Sequence, residues 1–177
     1  LSIFLFISCQ KVGGDDVEGT PAKVNCKLNI SNLDMFVTKA DGSVLESSVA
    51  NLWVLQFNGQ TDASVLVKAD YYSSPDIGNL NLNLLAGNGQ SIYFIANSSD
   101  NALFNPVNAP LNTYTLSALK AKTITYATEA DNFPANSGKS YLRMSGVYSG
   151  DISSAGTSFS INLNRLAAKI SFSYTSL

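Results

Sequence analysis

The chain has 177 residues, of which 45% are hydrophobic and only 14% are charged, with a formal net charge of −2. That length favours one domain with one core, and the lack of a basic stripe excludes nucleic acid as a partner. The chain contains no histidine, which removes the commonest general base and the commonest metal ligand. No acidic loop has the spacing of a calcium site and Cys26 has no partners for zinc, so we expect no metal and no cofactor.

The first nine residues are typical of the end of a bacterial export signal. An apolar run from Leu1 to Ser8 is too short to span a bilayer and matches the hydrophobic part of a signal peptide. Ser8 followed by Cys9 is similar to the lipobox of bacterial lipoproteins, in which the cysteine is acylated and becomes the mature N-terminus. We therefore expect lipidation of Cys9, which would prevent a disulfide bond with Cys26. The alternative is an ordinary signal peptide that contains a cysteine by chance.

Residues 10–21 are predicted to form a flexible tether, because they carry too few apolar groups to offset the entropy lost on ordering. An acidic cluster, Asp15, Asp16 and Glu18, lies in this tether just after Cys9. In lipoproteins of some Gram-negative bacteria a similar acidic run marks export to the outer surface. A solvated linker explains the cluster equally well.

The first predicted strand is half-buried. Val24, Cys26, Leu28 and Ile30 alternate with polar residues, so one face of the strand is apolar and Cys26 points into the core. Because its other face is polar, we expect this strand to lie at the edge of a sheet.

The second predicted strand, residues 51–57, carries β-branched and aromatic side chains on both faces. Trp53, Leu55 and Phe57 share one face, because side chains alternate along a strand. This pattern predicts a central strand that is covered on both sides.

Further strands and one helix follow with close spacing. Gly87-Asn-Gly89 predicts a hairpin between two of the strands, and Thr115 or Ser117 is predicted to cap a short helix. The predicted elements are strands at 64–71, 79–84, 91–96, 141–148, 159–163 and 170–174, and a helix at 118–122. Many short strands with one small helix predict an all-β fold, an antiparallel β-sandwich.

Four segments carry a resemblance to a known family: residues 51–57, residues 92–97, Met144-Ser-Gly146 and residues 161–170. In their order and spacing they are similar to the N-terminal half of the fimbrillin family, the subunits and anchor proteins of type V pili. The most specific of these segments is the last, in which Arg165 and Lys169 flank small residues.

The resemblance implies a transthyretin-like sandwich over residues 22–177. Family subunits usually continue into a second sandwich that carries the donor strand, so a chain that stops at Leu177 is either a fragment or unable to donate. It also implies donor-strand exchange, in which the first strand leaves and a strand of a neighbouring subunit fills its groove. The removable strand would be Val24 to Ile30. A protease would cut in the following loop, where Thr38-Lys39-Ala40 matches a family pattern with arginine in the middle, so Lys39 is the candidate cleavage site.

Two functions are therefore weighed. The first is a fimbrial subunit or anchor that acts in cell adhesion, is held in the outer membrane by its lipid and has other fimbrial subunits as partners. The alternative is a glycan-binding lipoprotein of the outer-membrane surface that uses Tyr71, Tyr72, Tyr93 and Tyr148 as stacking surfaces. We do not expect an enzyme, because the chain has no histidine for a serine triad and no nucleophile motif.

Overall fold

The computed structural model describes residues 19–30, 48–98, 103–122, 135–136, 139–140 and 143–166. The elements are β1 (Pro21–Ile30), β2 (Leu52–Phe57), β3 (Leu66–Tyr72), β4 (Leu80–Leu85), β5 (Gly87–Ala96), α1 (Leu116–Ala121), β6 (Ala135–Asn136), β7 (Lys139–Ser140), β8 (Met144–Ile152) and β9 (Thr157–Arg165). The predictions for Cys9, for Lys39, for most of the tether and for a strand at 170–174 lie outside the described residues.

Seven of the strands form one sheet in the order β3-β2-β5-β8-β9-β1-β4, while β6 and β7 pair with each other. The sheet has two halves, β3-β2-β5-β8 and β9-β1-β4. Among the described residues, the strand pairs that join the halves are Met144 with Arg165 and Ser145 with Asn164. Apolar side chains from both halves meet in one buried cluster, so the halves pack face to face. The prediction of an all-β fold with one short helix is confirmed.

The sheet is mixed, and β1 does not lie at its edge. It pairs with β4 in antiparallel orientation and with β9 in parallel orientation, so it is the middle strand of its half. The prediction of an edge strand is therefore wrong. Alternating polarity shows that one face of a strand meets solvent, and β4 and β9 alternate in the same way as β1. All three strands share one solvated face, and the edge belongs to β4.

The predicted hairpin at Gly87-Asn-Gly89 is also wrong. β4 pairs with β1 in one half of the sheet, whereas β5 pairs with β2 and β8 in the other half. The chain crosses between the halves at Ala86, whose amide donates to the carbonyl oxygen of Thr20 at 2.7 Å. The two halves are thus connected by a crossover, and the glycines fall in an irregular part of the β5–β8 pairing.

β2 is covered on both faces, as its sequence predicts. Leu52 and Val54 belong to the core between the two halves of the sheet. Trp53, Leu55 and Phe57 belong to a second core, on the outer face of the β3-β2-β5-β8 half. β2 therefore anchors two separate hydrophobic cores.

The helix α1 covers that second core. The hydroxyl oxygen of Thr115 accepts a hydrogen bond from the amide of Ala118 at 3.2 Å, which confirms Thr115 as the N-cap. Leu116 and Leu119 are the buried residues of the helix and pack into the cluster around Trp53. The core between the halves therefore does not depend on the helix.

Candidate functional site: the groove that holds the first strand

β1 lies in a groove between β4 and β9. Residues 21–26 pair with residues 80–85 of β4, and residues 24–30 pair with residues 157–163 of β9. β1 thus forms main-chain hydrogen bonds along both of its edges. If it were removed, two strands instead of one would present unpaired main-chain groups.

The apolar side chains of β1 fill the floor of this groove. Val24, Cys26 and Leu28 are 2%, 0% and 3% exposed, and Ile30 is half-buried against the same core. These are the four residues that the sequence assigns to a removable strand. Their placement agrees with the inward face that the alternation predicts.

Cys26 is a free thiol in the centre of the groove. Its Cα is opposite that of Leu80 on β4 and that of Phe159 on β9. Burial raises the pKa of its thiol from 9.0 to about 12, because the thiolate would lose its hydration. The thiol is therefore protonated and unreactive while β1 stays in place.

Hydrogen bonds outside the regular ladder hold both ends of β1. Gly19 donates its amide proton to the carbonyl of Ala86 at 2.8 Å, and Leu28 donates to the carbonyl of Ile77 at the same distance. The pairing therefore begins two residues before the strand itself, within the segment that the sequence assigns to the tether.

Where the halves of the sheet join, β8 and β9 lie unusually close together. A Cβ atom on Gly146 would be 2.6 Å from Cγ2 of Ile161 and 2.7 Å from the carbonyl oxygen of Asn162. Such distances are too short for a side chain, so only glycine allows this approach. Gly146 belongs to one of the segments that carry the family resemblance, and its packing against β9 is a physical reason for a glycine there.

The four tyrosines of the glycan-binding alternative have different environments. Tyr71 is 36% exposed and its ring centroid lies 5.1 Å from that of Trp53. Tyr72 packs partly into the core between the halves. Tyr93 contacts Phe57 edge to face, and Tyr148 stacks on Phe159 with ring centroids 4.0 Å apart. The structure does not bring the four rings together, and Tyr71 is the one whose exposure suits stacking on a ligand.

The described residues contain no group of three or more histidine, cysteine, aspartate or glutamate side chains that could hold a metal ion. Their only helix, α1, is too short to cross a membrane. Arg165 ends β9 and is half-buried, whereas Lys169 lies outside the described residues.

Gln56 has a structural role in this region that the sequence analysis does not predict. It lies fully buried near the end of β2. Its side-chain nitrogen donates to the carbonyl of Leu85 at 2.6 Å, and the amide of Leu85 donates to its side-chain oxygen at 2.9 Å. The end of β4 is therefore attached to β2 by a side chain that imitates a strand backbone. The sequence offers one signal for this role, a polar residue inside an apolar run.

No model of a known protein family matches the sequence, and no curated protein matches it significantly. Solved structures do resemble its fold. The tip fimbrial protein Mfa3 from Porphyromonas gingivalis, with a C-terminal truncation, is 14% identical with a TM-score of 0.52. A fimbrilin (FimA) from Porphyromonas gingivalis W83 is 16% identical with a TM-score of 0.51.

The matches cover 83% and 82% of this chain but only 49% of the Mfa3 chain and 40% of the FimA chain. The chain thus spans half or less of the length of these proteins. At such low identity the likeness establishes the fold, and the fold is fimbrillin-like.

Proposed function

We propose that the chain is a structural subunit or anchor of a fimbrium at the cell surface, and that it assembles with other fimbrial subunits by exchange of β1. The observation that carries this proposal is the position of β1 between two strands, with its apolar side chains filling a groove. The fimbrial proteins with a similar fold support it.

The groove suits strand exchange better than a sheet edge would. An incoming strand would gain hydrogen bonds from both β4 and β9, together with sites for alternate side chains. Burying each large side chain there contributes roughly 1.5–3 kcal/mol. A domain that loses β1 therefore has a strong tendency to take up another strand.

β1 takes no part in the strand pairing of the β3-β2-β5-β8 half. It also contributes no side chain to the core around Trp53 and α1. A domain trimmed of β1 is therefore expected to keep its larger half.

Limited digestion with trypsin tests this exchange. Lys39 is the only basic residue between β1 and Trp53, and we expect cleavage there first, with a Lys39→Gln variant as the control. The cut protein is then mixed with a labelled peptide of residues 21–30. We expect the peptide to bind and the cut protein to multimerise.

Two altered peptides show whether the groove is the binding site. Cys26→Asp places a charge on the inward face, whereas the neighbouring change Asn25→Asp places the same group on the solvent face. We expect the first peptide not to bind and the second to bind like the unaltered one. Equal binding of both, or a cut protein that stays monomeric and binds no peptide, would refute the exchange.

The proposed anchor is a lipid on Cys9, which lies outside the described residues. Two or more acyl chains give stable membrane attachment where one is marginal. Expressed as a full precursor in a Gram-negative host, the Cys9→Ala variant should move from the membrane to the soluble fraction. Cys26→Ala is the matched control and should stay with the membrane, because Cys26 is buried. Unchanged fractionation of the Cys9 variant would rule out the anchor.

A further inference from the structure

The outer face of the β4-β1-β9 half is polar except at one end, where Pro21 lies opposite Leu85. The other side chains that point away from the core on these strands are amides, hydroxyls and lysine amines. No acidic or aromatic residue occurs at these outward positions of the three described strands. The central members of this polar face are Lys23, Asn25, Lys27, Asn81, Asn83 and Ser158, all of them exposed.

The strand register aligns these groups in rows. Asn25 is opposite Asn81 on one side and Ser158 on the other, and Lys23 is opposite Asn83. Lys27 is opposite Ser160. Two lysines therefore project from the middle strand with amide and hydroxyl side chains beside them.

The amides present hydrogen-bond donors to the solvent. The side-chain nitrogen of Asn25 donates to the side-chain oxygen of Asn79 and, at 3.4 Å, to that of Asn81. This arrangement uses acceptor oxygens and leaves the side-chain nitrogens of Asn79 and Asn81 for a ligand. Together with the lysine amines they make a donor-rich surface, which favours a ligand rich in acceptors and negatively charged.

The polar face is also concave. A cleft of about 610 Å³ lies over Lys23, Asn25, Asn81 and Asn83, with residues 155–158 of the β8–β9 turn as its wall. This volume is within the range of small-ligand sites in proteins. Both main-chain edges of β1 are already paired, so a ligand in this cleft cannot add to the β1 ladder.

From these features we infer that the polar face binds an acidic polysaccharide. Its carboxylate or sulfate groups would accept hydrogen bonds from Lys23 and Lys27, and its hydroxyl groups would exchange hydrogen bonds with Asn81 and Asn83. An acidic peptide fits less well, since it offers carboxylates but few hydroxyl groups for Asn81 and Asn83. The inference concerns the intact chain and does not depend on strand exchange.

Binding of defined polymers to the intact chain tests this inference. The probes are polygalacturonate oligomers for carboxylates, dextran sulfate for sulfate esters, uncharged dextran and polyglutamate. We expect binding to one or both acidic polysaccharides, and the stronger of the two identifies the anionic group. No binding to either, or equally strong binding to polyglutamate, would overturn the inference.

Variants with matched charge locate the site. Lys23→Gln with Lys27→Gln removes two charges from the polar face, and Lys120→Gln with Lys122→Gln removes two from α1 and its C-cap. We expect the first pair to weaken binding about tenfold or more and the second to change it little, because only the first pair loses charge-assisted hydrogen bonds to the ligand. Asn81→Ala should also weaken binding. If the two double lysine variants lost the same amount of binding, net charge alone would explain the attraction and the proposed site would be wrong.

Discussion

Gln56 and Leu85 form two hydrogen bonds with each other. The side-chain nitrogen of Gln56 donates to the carbonyl of Leu85, and the amide of Leu85 donates to the side-chain oxygen of Gln56. Gln56 is fully buried, and its side-chain nitrogen also donates to the side-chain oxygen of Gln90 at 2.5 Å. This pair joins the end of β4 to the last part of β2, across the two halves of the sheet.

The Gln56→Leu variant tests the energetic importance of this pair. Leucine of similar size would leave the main-chain groups of Leu85 without these partners, at a cost of about 1–3 kcal/mol for each unsatisfied buried group. We expect the free energy of unfolding in urea to fall by roughly 2–4 kcal/mol. Gln60→Leu, in an exposed turn, is the control and should change little. A Gln56 variant as stable as this control would contradict the interpretation.

The thiol of Cys26 is expected to report the position of β1. It is fully buried, and its raised pKa keeps it protonated at pH 8. In a Cys9→Ser background, iodoacetamide should modify Cys26 rapidly in urea and very slowly in the folded chain, as mass spectrometry would measure.

Cleavage after Lys39 should accelerate this modification, about tenfold for every ~1.4 kcal/mol by which the cut weakens the docking of β1. An unchanged rate after complete cleavage would mean that β1 does not leave the groove.

Stability should fall at alkaline pH partly because of Cys26. In the unfolded chain the thiol loses its proton around pH 9, whereas in the folded chain it keeps the proton up to about pH 12. The contribution of the Cys26 thiol to the free energy of unfolding is therefore fully present below pH 9. It is lost as the pH rises from 9 towards 12, at up to about 1.4 kcal/mol per pH unit.

Comparison with Cys26→Ala isolates this effect. Burial also raises the pKa values of Tyr72 and Tyr114, but these tyrosines are present in both proteins. The free energy of unfolding of the unaltered protein, relative to that of Cys26→Ala, should therefore fall between pH 8 and pH 10.5, as chemical unfolding would measure. A constant difference over that range would show that the thiol ionises equally well in the folded chain.

Gly146→Ala should destabilise the junction between β8 and β9. The added methyl group would meet Ile161 and the main chain of Asn162, and the main chain can move only if the two strands separate. Overpacking of this kind costs about 1–3 kcal/mol, measurable as a lower midpoint of thermal unfolding. Gly78→Ala is the control, because nothing lies closer than 3.4 Å to its added Cβ. Equal midpoints for the two variants would contradict the close approach.

The sequence predicts those parts of the fold that depend on local pattern. β2 follows from apolar side chains on both faces, α1 follows from a capping threonine, and the inward face of β1 follows from its alternation. Each of these features is decided by the residues of the element itself. The same alternation assigns Val24, Cys26 and Leu28 to the candidate groove.

The errors concern contacts between distant residues. A glycine-rich segment after β4 resembles a hairpin turn, but β4 and β5 pair with different strands, and Gln56, far away in the chain, binds Leu85 where they separate. Likewise β1 resembles an edge strand because its polar face cannot reveal whether one neighbour or two pair with it. Which strands pair, and how many neighbours a strand has, depends on tertiary structure and cannot be deduced from local periodicity.

The pairing of β1 with β9 has a consequence for the order of folding. These are the first and the last of the described strands, so their parallel ladder closes the longest loop in the described chain. Loop closure of this kind costs more entropy than joining neighbours such as β2 and β3. The core around Trp53, which draws on residues 53–119, contains nothing from either strand. It can therefore form before β1 and β9 pair, and we expect Cys26 to become fully buried only when that ladder closes.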